Sequence, residues 1–205
     1  MAAQKTMTLD EFLAWELDQK EKHEYYRGLV YLHPQYVAMP GASSNHHEIE
    51  VNLIREVAVA FEDSTFRPYT SNQMVVSEAG GSAFYPDVVL LDGPREFRKY
   101  GKLNAAANPA VVFEIASPGT DGYDRGHKLE TYKNMPTMRE IILVKAMEAR
   151  VERFLRTENG WLHESFEGLD AELPVLEVRI PLKRIYKNVE VPPFSLGIPI
   201  ESEES

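Results

Sequence analysis

Apolar residues recur at helical spacing at Leu9, Phe12, Leu13 and Leu17, directly after Thr8, and Glu11 stands three residues on as the second half of a capping box. This predicts a short first amphipathic helix. Residues 24–39 read as a hairpin or two short strands, punctuated by Gly28 and Pro34 and closed by Pro40. A Gly-Ala-Ser-Ser-Asn segment then leads into a second helix, opened by His46, whose apolar stripe is Ile49, Leu53, Val57, Ala60 and Phe61. Strand signals are weak over 67–76 and clear over 84–91, where Pro86 sits near the strand start. The polar, basic stretch 93–109 reads as a long loop. Residues 110–116, Ala-Val-Val-Phe-Glu-Ile-Ala, form a continuous apolar run broken by one acid, the pattern of a central strand buried on both faces. A third helix is predicted over about 121–135, stopped by Pro136, followed by strands at 140–145, 149–155 and 161–165. The alternation of helices and strands predicts a mixed α/β (α+β) fold built around one sheet. Residues 1–190 read as a single domain, and 191–205 as a Pro-rich acidic tail.

Composition narrows the function. The chain has 205 residues, 43% hydrophobic and 26% charged, which fits a globular protein. Lys+Arg 22 against Asp+Glu 32 gives a net charge of −10, so any attraction to nucleic acid must come from a local basic patch. The absence of cysteine excludes disulfides, thiolate metal sites and a cysteine nucleophile, and fits a reducing compartment. No signal peptide and no membrane-spanning run is visible, so a cytoplasmic location is expected.

The candidate chemistry starts with Asp87 and Glu114, each an acid in a strongly apolar strand. Such a carboxylate is costly to bury unless it is paired, hydrogen-bonded or bound to metal. Two of them converging would offer hard oxygen ligands suited to Mg²⁺ or Mn²⁺. Alternatively, each is a solvated acid at a strand end. Lys128, Tyr132 and Met135 share a helix face, so Lys128 borders the buried stripe. It either points into a site or pairs with Asp124 one turn earlier. His46, with Glu50 one turn on, is a helix-start histidine. Together with His47 these residues raise a zinc reading, which the missing HExxH order disfavours. Glu24 reads alone as a strand-edge acid. Ser117-Pro118-Gly119-Thr120 is a turn before a helix, suited to capping or to an anion. No Walker lysine motif and no G-x-S-x-G motif is present. Pro94 to Lys102 is the most basic stretch, with Arg95, Arg98, Lys99 and Lys102 around Phe97 and Tyr100, and reads either as a DNA-backbone contact or as a solvated loop.

Taken in order, several stretches resemble one family. They are Glu24-Tyr25-Tyr26-Arg27-Gly28, Ala38 to Ser43 running on to His46 and Ile49, Tyr85-Pro86-Asp87-Val88-Val89, and Asn108-Pro109. Glu114 to Thr120 follows, then Tyr123-Asp124-Arg125-Gly126-His127-Lys128 with Tyr132, Pro136 and Glu140. The chain resembles the Uma family of restriction endonucleases, a branch of the PD-(D/E)xK nuclease superfamily, over roughly residues 8–165. The resemblance implies a restriction endonuclease-like fold, with a mixed central sheet flanked by helices. It implies a metal-dependent DNA endonuclease that hydrolyses phosphodiester bonds. Asp87 and Glu114, with the Ile115 carbonyl, would hold Mg²⁺ or Mn²⁺, and Lys128 would act on phosphate or water. Glu24 and His46 also match family positions. The superfamily's lysine normally lies two residues after the second acid, where this chain has Ala116, and Lys128 on the following helix takes its place. The competing reading is a catalytically degenerate nucleic-acid-binding or regulatory protein on a nuclease scaffold. Cutting a duplex requires two strand cleavages, so a homodimer is expected on the nuclease reading.

Overall fold

The computed structural model describes residues 6–33, 42–93, 96–100, 103–116 and 124–191. Helix α1 (Leu9–Glu16) begins at the expected capping box, with Thr8 and Glu11 each bonding the other's backbone. The hairpin follows as β1 (His23–Tyr26) and β2 (Leu29–Leu32). Its two turn residues, Arg27 at φ 45° and Gly28 at φ 95°, are both left-handed, as a tight two-residue hairpin turn requires. Helix α2 (Ala42–Ala60) starts four residues before His46, so the Ala-Ser-Ser-Asn segment is helical and does not merely lead in.

Strands β3 (Arg67–Thr70) and β4 (Val75–Ser77) fill the weak region. The single strand expected over 84–91 is two, β5 (Ser82–Phe84) and β6 (Val88–Leu91), and they belong to different sheets. Pro86 has no N–H to give a ladder, and the Asp87 carboxylate accepts the Ile115 N–H, so the chain changes sheet between them. The stretch read as a loop holds a hairpin, β7 (Phe97–Tyr100) and β8 (Leu103–Ala106). The Ala106 N–H bonds the Met74 carbonyl, and the Ala107 N–H bonds Glu96, so tertiary pairing overrides the low strand preference of alanine. Strand β9 (Pro109–Ala116) is buried along all 8 residues. A π-helical turn (Asp124–Lys128) leads into α3 (Leu129–Lys133). Strands β10 (Glu140–Lys145), β11 (Arg150–Thr157) and β12 (Gly160–Glu167) match the expected strands. The ribbon β13 (Glu172–Val175) and β14 (Val178–Pro181), and the short helix α4 (Leu182–Ile185), had no counterpart in the sequence reading.

The fold is mixed α/β, as expected, but it carries two six-stranded sheets instead of one. One runs β2-β1-β5-β4-β8-β7 and the other β12-β11-β10-β9-β6-β3, with β9 and β10 parallel. Three apolar layers separate the elements. Helix α2 and the β13–β14 ribbon cover one face of the β9 sheet through Ile49, Leu53, Phe113, Ile142 and Leu173. Val112, Leu143, Phe84 and Tyr132 fill the space between the two sheets. Phe12 and Leu13 of α1 pack on the far face of the β1 sheet. This is a restriction endonuclease-like arrangement. Among the described residues no helix is long and apolar enough to cross a membrane.

Candidate active site

Strand alternation decides where the acids point. Val112 faces the space between the sheets, so Glu114, two residues on, faces it too. Val88 pairs with Phe113, which places Asp87 across from Glu114 on that same face, at the carboxyl end of β9. On β1, Tyr26 faces the space and so does Glu24. The π turn swings Lys128 inward from the third side, a wider turn of the kind often found at functional sites.

The four side chains form one network. Lys128 Nζ lies 2.9 Å from Glu24 Oε1 and 3.2 Å from Glu114 Oε2. The Tyr132 hydroxyl donates to Glu114 Oε1 at 2.7 Å. Asp87 Oδ2 accepts the Ile115 N–H at 2.6 Å, and Oδ1 lies 3.1 Å from His46 Nε2. Glu24 Oε1 also accepts the Tyr85 N–H at 3.2 Å, while Glu24 Oε2 is buried without a hydrogen-bond partner. Glu24, Lys128, Glu114 and Asp87 expose only 0%, 2%, 3% and 6% of their surface, so water does little to offset their charges.

The surroundings tune these groups. Burial alone would raise the Asp87 carboxyl, but the His46 imidazole, the Ile115 N–H and the Lys128 charge outweigh it and hold the group below its ordinary value. Burial and the Glu114 charge push the Tyr132 hydroxyl far up, so it stays a donor. Burial lowers His33, whose Nε2 lies 3.3 Å from the Tyr85 carbonyl and 3.8 Å from Glu24 Oε1. Behind Tyr85, burial raises Glu16 to about 7; it takes the His23 N–H and the Tyr85 hydroxyl. On the rim, the Lys22 ammonium donates to the Ser71 carbonyl and the Ser71 hydroxyl donates to Glu50. Ligand atoms of His46, His47 and Glu50 lie within 4.8 Å of one another, so the zinc reading disfavoured from sequence has three donors within reach.

A family model described as "putative restriction endonuclease" matches residues 9–183. The chain belongs to this family, Uma2. Two uncharacterized proteins of Synechocystis sp. are similar to it. One is 27% identical over 174 residues, covering 84% of this chain and 94% of the relative. The other is 29% identical over 182 residues, covering 88% and 91%.

In this Uma2 protein Asp87, Glu114, Lys128, Glu24 and His46 meet in one cluster, and the Ile115 N–H bonds Asp87. Glu24 is no strand-edge acid: β1 lies between β2 and β5, and the side chain is wholly buried. Lys128 takes up Glu24 and Glu114. The basic stretch fares differently. Arg95 and Lys102 lie outside the described residues, and Arg98 is on β7, in ion pairs with Asp10 and, at 3.3 Å, Glu78. A cavity of about 590 Å³ lies away from the cluster, against Phe61, Glu140, Arg153 and Leu176. Tyr132, Tyr85 and His33 were missed as site residues. Tyr132 had a signal in its place one turn after Lys128, and Tyr85 in the stretch Tyr85 to Val89; His33 had none.

Proposed function

We propose that this Uma2 protein is a divalent-metal-dependent DNA endonuclease that hydrolyses phosphodiester bonds. The observation that carries the reading is the imbalance of buried charge. Among the described residues, three carboxylates, Glu24, Asp87 and Glu114, gather around one buried lysine. An excess of buried negative charge is expensive unless a cation or protons neutralise it. The donors are carboxylate oxygens, which suit Mg²⁺ or Mn²⁺, and one of them, Glu24 Oε2, lacks a partner. Asp87 and Glu114 would hold the ion. A strand residue's N–H and C=O lie on the same edge, so the Ile115 carbonyl belongs on the Asp87 side and is a third donor.

A divalent ion there supplies Lewis acidity toward a phosphate oxygen and toward water. The protein supplies the rest. The Tyr132 hydroxyl and Lys128 fix the two oxygens of Glu114, and His46 and the Ile115 N–H fix those of Asp87. Lys128 brings a point charge for the phosphate or the attacking water. DNA is the proposed substrate and a two-fold homodimer the proposed assembly; light scattering giving a monomer at micromolar concentration would count against the dimer.

Ala116 at the usual lysine position favours a second reading, a degenerate scaffold that binds nucleic acid without cutting it. One experiment separates the two. Mixed DNA substrates are incubated with Mg²⁺ or Mn²⁺ beside the Asp87→Asn variant. Cleavage that needs the ion and Asp87 supports the endonuclease. Ion binding without cleavage supports the degenerate scaffold.

A further inference from the structure

Lys128 is shared between two acids that differ in their freedom to leave it. Glu114 divides its oxygens between the lysine and Tyr132, and on the reading above it is also the acid that a metal claims. Glu24 meets the lysine through Oε1, and on that reading the ion is held by Asp87 and Glu114, so the lysine's bond to Glu24 is not one the metal displaces. Its strand is paired on both sides, its Oε1 takes the Tyr85 N–H as well as the lysine, and it has no contact with solvent. The lysine is also closer to Glu24, at 2.9 Å against 3.2 Å. We infer that Glu24 is the positioning residue for Lys128: it keeps the ammonium aimed into the site when the charge of Glu114 is drawn to a cation.

The physical need is clear. A buried ammonium that loses its partner is strongly destabilised and moves or loses its proton. Without Glu24, recruiting the metal would draw away the other acid that the lysine bonds. A second acid on a separate, rigid strand uncouples the two events. The migrated lysine makes this necessary. A lysine two residues after Glu114 would be aimed by β9 itself, whereas Lys128 arrives from a π turn on another segment and needs an anchor of its own. The inference rests on the metal reading for its purpose, but the anchoring itself can be tested without metal.

The measurement is the proton–nitrogen correlation spectrum of the lysine ammonium groups in the labelled full chain at fixed pH. The Lys128 signal is assigned by its absence from Lys128→Met. A hydrogen-bonded ammonium sheltered from water exchanges slowly enough to be seen. Glu114→Gln mimics a Glu114 whose charge has been claimed, and the signal is expected to persist in it. In Glu24→Gln with saturating Mg²⁺ the signal is expected to be lost. Loss in Glu114→Gln, persistence in Glu24→Gln with Mg²⁺, or no signal in the wild type would each overturn the proposal. Should Glu24→Gln fail to fold, the Glu114→Gln spectrum decides. Should Mg²⁺ leave the Asp87 and Glu114 carboxyl signals unmoved in the wild type, the endonuclease reading falls, and the Glu114→Gln spectrum still decides the role of Glu24.

Discussion

The β9 sheet carries a buried charge cluster on each face, and the two are built differently. On the face toward the β1 sheet, Glu24, Asp87 and Glu114 outnumber Lys128. On the face toward α2, Glu140 on β10 meets Arg153 on β11, one acid to one base in the buried part. Arg153 reaches on to the half-exposed Glu164, and Glu140 Oε1 takes the Leu176 N–H at 3.0 Å. That bond holds Leu176 in a left-handed turn at φ 51°, strained for a branched residue. The second cluster is balanced within the chain and pins the β13–β14 ribbon to the sheet. The first carries more acid than base among the described residues. Two clusters of similar burial thus differ in kind: matched charge serves architecture, and an excess of acid is what the proposed function assigns to a cation.

The largest expected effect comes from breaking the balanced cluster. Arg153→Met leaves Glu140 buried and uncompensated and should cost about 3–5 kcal/mol in urea unfolding. Combining it with Glu140→Leu should recover most of that loss. Neither change should alter Mn²⁺ binding. An Arg153→Met protein of wild-type stability would erase the distinction between the clusters.

Neutralising the unbalanced cluster should do the reverse. Asp87→Asn and Glu114→Gln should lower metal-dependent DNA cleavage by about 10²–10³-fold, the range for losing one fixed electrostatic group in an active site. The melting temperature should hold or rise in Glu114→Gln, which removes surplus negative charge, and fall in Asp87→Asn, because His46, the Ile115 N–H and Lys128 favour the Asp87 carboxylate in the fold. A fall in stability with cleavage intact would make these acids structural.

Glu16 borders the same excess of acid through Tyr85, and it gives the comparison a pH axis. Burial raises its carboxyl from 4.5 to about 7, so the folded chain holds this proton more tightly than the unfolded chain. Its contribution therefore falls as pH rises from 4.5 to 7 and is level above that, a total of about 3 kcal/mol. Urea unfolding at pH 5 and pH 8 should show this loss in the wild type. Glu16→Gln should show correspondingly less of it.

The smallest effect concerns DNA contact. Arg98 already serves Asp10 and Glu78, so Arg98→Ala should change the slope of log affinity against log salt by less than about 0.9, the value for one full phosphate contact. A change of that full size would return Arg98 to the DNA-facing surface.

What could be read from sequence divides along physical lines. Asp87 and Glu114 stood out because an acid inside an apolar strand is a local anomaly, and Lys128 because helical spacing put it beside the buried stripe. Glu24 did not stand out, since the pairing of β1 with β5 that buries it involves residues far along the chain. The same holds for Arg98, whose partners Asp10 and Glu78 are distant in sequence. The split between β5 and β6 depends on Asp87 taking a backbone bond from another strand. The β13–β14 ribbon was invisible because its turn uses Leu176 at positive φ where a sequence rule looks for glycine or asparagine.

On the proposed function, the excess of acid between the sheets exists to hold a divalent cation. Calorimetric titration of Mn²⁺ into the wild type, Asp87→Asn and Arg153→Met tests it most directly. One site per chain is expected, intact in Arg153→Met and weakened more than about 100-fold in Asp87→Asn, beyond what losing a merely supporting residue does. Equal binding in the wild type and Asp87→Asn, or no binding in the wild type, would contradict it.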